Sequence, residues 1–198
     1  AVREILMYPL AYKREWTVQG FGMMRTYLDP EKTWRLNIYH PMLMIPNVSV
    51  IHNHPWDFDS WILGGQLTNI RYGAYDDAPM TREAGSYDYA RIMSAIKSPV
   101  GDAGEGGVSS QGTQWLSVVD ATDYPPGSYY SMHHAEIHET RYTPGCVTLN
   151  RRCKVGDGEH ATVFWPADTP WVSAKPRIAT QREVMLVTTK GSNAMGHG

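Results

Sequence analysis

Residues 50–67, VIHNHPWDFDSWILGGQL, set His52 and His54 one residue apart on a run that otherwise reads as β-strand. Side chains at i and i+2 of a strand leave by the same face. The two Cα atoms then lie about 7 Å apart, so both imidazoles can reach one ion at metal–nitrogen distances of roughly 2.0–2.2 Å. Pro55 follows at once, and proline belongs at strand ends and edges. The pair is therefore expected at the mouth of a sheet. Gly64-Gly65 separates WDFDSWIL from QLTNIRYGAY, and a glycine pair between two such runs signals a hairpin, because glycine takes positive φ without steric cost.

Working outward, the same pattern recurs. RLNIYH, MLMI and VSVIH precede the pair; TQWLSVVDAT, YYSMHH, AEIHETRY, CVTLNRRCK and HATVFW come later. The turn signals DYPPGS, TPG, GDG and ADTP fall between the later runs. Many short strands at even spacing predict an antiparallel sandwich or barrel. A short helix is expected near 2–8, ended by Pro9, and ATQREVMLVTT is compatible with helix or strand. Residues 76–113 are rich in Gly, Ser, Asp and Ala. They predict an excursion from the sheet, a loop or lid, with YDYARIMSAI able to form a short helix. The tail KGSNAMGHG is small and polar, and its His197 is no site candidate. The expected organisation is one domain over 1–190, with the loop or lid at 76–113, and a flexible tail over 191–198.

The composition suits one core: 198 residues, 42% hydrophobic. A net charge of −2 implies no broad basic field, so neither nucleic acid nor an anionic membrane is the expected partner. No apolar run approaches the roughly 18–20 residues of a membrane span, and AVREILMYPLAYKREW lacks the order of a signal peptide. Cys146 and Cys153 lie on one predicted strand, about 23 Å apart if it is straight, too far to bond. Two free thiols and a reducing, cytoplasmic compartment are expected.

SMHHAEIHET brings His133, His134 and His138 some 80 residues after the first pair. Two histidines from one strand and one from a distant strand make a facial set with open positions, which suits Fe(II), Mn, Ni or Zn. Glu136 shares the face of His138 at period two. It is a candidate ligand or a partner that orients an imidazole. His133 and His134 are adjacent and are expected on opposite faces, so one of them could join the site. Arg71, Arg141 and Arg151 lie on predicted strands. Each either points outward to solvent or points inward to pair with an anionic substrate.

HNHPWDFDSWILGG and the later PPGSYY…EIHET together resemble the two motif segments of the cupin superfamily. The first segment resembles, more narrowly, small bacterial and phage cupin-like proteins. His52, His54 and Gly65 match the first cupin motif, and His138, eleven residues after Gly127, matches the histidine of the second. Phe58 stands where the motif has glutamate, flanked by Asp57 and Asp59, and Ala135 and Tyr142 replace two residues of the second motif. The resemblance implies an all-β, cupin-type antiparallel double-stranded β-helix, a jelly-roll barrel with a few short helices. It implies one divalent metal on His52, His54 and His138, with Asp59 as a candidate fourth ligand. Thiol oxygenases of this superfamily hold iron on three histidines. The implied function is therefore a non-haem Fe(II) oxygenase, of dioxygenase type, acting on a small anionic or thiol molecule. The alternatives are a Mn or Zn isomerase or lyase, and a non-enzymatic binding or structural, phage-associated cupin. Cupins are often dimers, so the resemblance admits a homodimer.

Overall fold

A computed structural model describes residues 1–46, 48–80, 84–93, 108–155, 160–167 and 176–196. The expected GDG turn, most of ADTP, part of the expected lid, and His197 lie outside the described residues. In chain order the elements are α1 (Val2–Met7), β1 (Thr17–Gln19), β2 (Phe21–Tyr27), β3 (Trp34–Met44), β4 (Ile51–His52), β5 (Trp56–Gly64), β6 (Leu67–Tyr75) and β7 (Ala84–Met93). Then follow β8 (Val108–Tyr124), β9 (Tyr129–Met132), β10 (Ile137–Tyr142), β11 (Cys146–Val155), β12 (His160–Pro166), β13 (Arg177–Ile178) and α2 (Gln181–Ala194).

The strands pair antiparallel, as expected, in two separate sheets. One is seven-stranded and open, in the order β13-β1-β2-β3-β11-β5-β9. In the other, pairing runs β10-β4-β12-β7-β8-β6 and returns from β6 to β10. This corrects the expectation of a jelly-roll barrel. The chain does not form one double-stranded β-helix: among the described residues a broad open sheet ends at β13 and β9, and the remaining strands form a second set of different connectivity.

Two local misreadings account for the difference. Gly64-Gly65 is not a hairpin turn. β5 pairs with β11 and β9, whereas β6 pairs with β10 and β8, so the glycines carry the chain from one sheet to the other. Gly65 has φ +68°, and a Cβ there would meet the Cys146 backbone at 2.8 Å. Close approach at a sheet crossing thus requires the glycine. Among the described residues of 76–113, 84–93 form β7 and 108–113 open β8, and the two strands pair with each other, with β12 and with β6. YDYARIM is strand rather than helix. The polar composition of 84–93 and 108–113 mimics a loop, yet Tyr and Ile in the first stretch and Val and Thr in the second suffice for paired strands.

The open sheet is covered on both faces, which is why β3 buries five residues in succession, Arg35 to Tyr39. On one face Leu36 and Ile38 join Met24, Val147, Ile5, Leu6 and Val184, so both helices pack there. On the other face Tyr39, Phe58, Tyr130, Met132 and Leu67 form a layer between the sheets. A third cluster, Ile51, Leu116 and Phe164, fills the second sheet. Ile51 and Ile137 belong to that third group, so their neighbours His52 and His138 point the opposite way, towards the layer between the sheets.

α1 matches the expected first helix, and ATQREVMLVTT resolves as helix α2. That helix continues to Ala194 and packs Gly191 against Val147 and Ile38, so the tail expected from 191 begins inside a helix. Its start is fixed by a capping box. Thr180 Oγ1 accepts from the Glu183 N–H at 3.2 Å, and Glu183 Oε2 accepts from the Thr180 N–H at 2.8 Å. Thr180→Ala is expected to lower stability by about 1 kcal/mol in urea unfolding; an unchanged midpoint would show the cap to be idle.

Candidate metal centre

The strand pairing assembles the site. His138 on β10 lies directly opposite His52 on β4. His54 lies beyond the end of β4, and its backbone is held from both sides. The Asn53 N–H donates to the Thr162 carbonyl at 3.0 Å, and the His54 N–H donates to the His134 carbonyl at 3.1 Å. These bonds turn the His54 ring back over His52. Ring centroids lie 4.8 Å apart for His52–His54, 4.7 Å for His52–His138 and 5.1 Å for His54–His138.

One nitrogen from each ring lies within 4.8 Å of the others, a cluster able to hold a metal ion. His52 Nδ1 stands 3.0 Å from the Val50 carbonyl. A carbonyl only accepts, so Nδ1 carries the proton and Nε2 keeps its lone pair for the site. His54 Nε2 and His138 Nε2 face each other at 3.0 Å. Two cis ligands at about 2.1 Å from one ion would stand roughly 3.0 Å apart, so this spacing fits a metal. Phe58 packs edge-on against His54 at 4.8 Å, and Phe21 covers His52 at 5.5 Å. Burial pushes the His54 and His138 pKa values well below the ordinary imidazole range, and their neighbouring imidazoles and Arg35 push further the same way. His52 is lowered too, chiefly by burial. Neutral imidazole is the form that ligates metals.

Asp59, expected as a fourth ligand, is not in this cluster. Phe58 faces the histidines, so the next residue on β5 faces away. Asp59 accepts from Tyr129 Oη at 2.8 Å, Ser131 Oγ at 2.7 Å, Arg151 Nη2 at 2.5 Å and Cys153 Sγ at 3.2 Å. Burial pushes its pKa up, but these donors outweigh burial and hold it far below the usual carboxylate range. Burial, then the bond to Asp59, raises the Cys153 pKa above the ordinary thiol value. Both cysteines are free, as expected. Glu136 is engaged by Arg71 at 3.3 Å and by the His133 N–H at 3.0 Å. Arg71 and Arg141 are bound by carboxylates at the surface, and Arg151 lies between Asp59 and the faces of Trp34 and Trp61.

The residue missed in the sequence is Arg35. It is 7% exposed, and its guanidinium lies over Trp56 at 5.6 Å and Phe58 at 5.7 Å. Burial, then Arg25, pulls its pKa down to about 10, so it remains a cation at neutral pH. Its position inside RLNIYH gave no sign, since alternation is lost on a strand buried on both faces.

A cleft of about 140 Å³ lies beside the triad, lined among others by Asn69, Arg71, Tyr124, Tyr130, Met132 and Glu136. No triad histidine lines it. It approaches the triad through Arg71, which is opposite His138 in register, and through Tyr130, whose ring meets Phe58 at 6.1 Å.

Neither protein-family models nor curated proteins match this chain. The chain is a two-sheet β domain with a histidine cluster that can bind a divalent metal, a site loosely compatible with that of a cupin. Among the described residues no helix is long and apolar enough to cross a membrane.

Proposed function

We propose that the chain is a metal-dependent enzyme, a non-haem Fe(II) oxygenase acting on a small anionic molecule, with His52, His54 and His138 as the metal ligands. The observation that supports it most is the convergence of three neutral imidazoles beside a buried guanidinium, with no carboxylate in the cluster. A divalent ion there would join the Arg35 cation with no ligand charge to offset either. Buried uncompensated charge is costly, so the site favours an anion as its further ligand. Fe(II), once bound, supplies the one-electron chemistry that lets dioxygen react with a closed-shell substrate.

The chain's own residues do the rest. The Val50 carbonyl holds the His52 tautomer. Phe21 and Phe58 limit water at the imidazoles. Arg35, supported on Trp56 and Phe58, attracts the negative end of the substrate.

The test is elemental analysis of untagged protein after anaerobic Fe(II) loading, followed by oxygen-uptake assays over small carboxylates and thiols. Stoichiometric iron, with substrate-dependent uptake that is lost in His52→Ala, is the expected result. Iron without uptake would overturn the oxygenase reading and leave Lewis-acid chemistry, as in a lyase or isomerase. Absence of any bound divalent metal would overturn the enzyme reading as a whole.

A further inference from the structure

A second group of metal-ligand side chains lies outside the triad. Asp57, His133 and His134 each place one ligand atom within 4.8 Å of the others. We propose that they form an outer site for a borderline divalent cation of the zinc class, with a ligand set separate from the triad.

Adjacent strand residues point to opposite faces, so two neighbouring histidines do not normally converge. Here they sit where β9 turns into β10. The Glu136 N–H donates to the His133 carbonyl at 3.0 Å, closing a four-residue turn, and the two rings lie 4.1 Å apart. Asp57 stands against this turn from β5. Its Oδ1 accepts from the His134 N–H at 2.8 Å, lies 2.8 Å from His134 Nδ1 and lies 3.9 Å from His133 Nε2. Cis donors around one ion would stand about 3 Å apart at ordinary bond lengths. The Asp57–His134 pair already has that spacing. The His133 side chain is 58% exposed, and its ring is held by a long 3.3 Å bond from the Ala135 N–H to Nδ1, which is given up as Nε2 turns through the remaining gap.

The backbone that carries these ligands is fixed without an ion. Glu136 Oε1 accepts from the His133 N–H at 3.0 Å, while its Oε2 binds Arg71 at 3.3 Å. Little conformational entropy is left to lose on binding. Two imidazoles and one carboxylate form a donor set for Zn(II), Ni(II) or Cu(II), whereas Ca(II) and Mg(II) seek oxygen ligands. On binding, His134 takes the tautomer with its proton on Nε2, which leaves the Nδ1 lone pair for the ion, and solvent fills the open positions. The site also touches the triad's support, because the His134 carbonyl accepts from the His54 N–H at 3.1 Å.

Zinc titration by equilibrium dialysis of untagged protein tests this, using wild type, His133→Ala, Asp57→Asn and His138→Ala. His133→Ala leaves the Asp57–His134 contacts in place, and Asp57→Asn keeps an acceptor for the His134 N–H, so both are expected to fold. Wild type is expected to bind two equivalents. His133→Ala is expected to bind one, and Asp57→Asn to hold the outer ion at least about tenfold more weakly. His138→Ala should lose the other equivalent. Equal zinc binding by His133→Ala and wild type would overturn the outer site while leaving the triad standing. One equivalent lost in His133→Ala but kept in His138→Ala would support the outer site and overturn the triad.

Discussion

His138→Ala is expected to lower affinity at the triad by at least about 100-fold, the scale found even for groups that merely orient a ligand. His138 is the most buried of the three histidines and touches both of the others. Its loss removes the nitrogen that faces His54 at 3.0 Å, and no carboxylate in the cluster can take its place. The measurement is competition for Fe(II) or Zn(II) against a chelator, with the outer site removed by His133→Ala. Unchanged affinity would mean that the third ligand lies elsewhere.

The metal-free protein carries a second signature of the same residue. Folding holds the His138 pKa well below its unfolded value, through burial first, then His52 and Arg35. The unfolded chain therefore binds more protons as pH falls through about 6.5. The stability linked to His138 is fully present above that pH and is lost below it. Urea unfolding of metal-free wild type should thus weaken between about pH 7 and pH 5, and His138→Ala should flatten that slope. Parallel slopes in the two proteins would show that His138 is not held neutral by the fold.

How much of the fold and site is legible in the sequence follows from how local each signal is. His52 and His54 are two residues apart, and strand geometry alone aims both rings one way. His138 came from a looser pattern, and its place opposite His52 depends on a pairing between strands 86 positions apart. Asp59 was misread because sequence proximity to His54 does not show which face of β5 it occupies; Phe58 takes the site-facing position. Arg35 was missed because a charged residue inside a doubly buried strand breaks no visible period. The glycine pair at 64–65 signalled a turn correctly, but a turn that changes sheets has the same local chemistry as one that makes a hairpin. That ambiguity, with the polar composition of β7 and β8, lies behind the jelly-roll expectation that the open seven-stranded sheet overturns. The convergence of His133 and His134 had one readable cue, two adjacent histidines just before Ala135 and Glu136, where a tight turn overrides strand alternation.

Asp59→Ala is expected to leave metal binding intact and to cost about 2–4 kcal/mol of stability, the sum of two or three charge-assisted hydrogen bonds. The carboxylate is 6% exposed and joins three strands: β5, which carries it, β9 through Tyr129 and Ser131, and β11 through Arg151 and Cys153. Among the described residues β9 ends the open sheet, paired there with β5, so the network anchors that end. The Arg151 side chain is 47% exposed and regains water when Asp59 is removed, which keeps the cost below that of a fully buried ion pair. Because folding depresses the Asp59 pKa, its contribution is present above the unfolded value of about 3.9 and disappears as pH falls below it. The gap between wild type and Asp59→Ala should therefore be constant above about pH 4 and close progressively as pH falls below it towards the depressed folded value. A variant that lost metal with its stability unchanged would return Asp59 to the ligand set and displace the three-histidine reading.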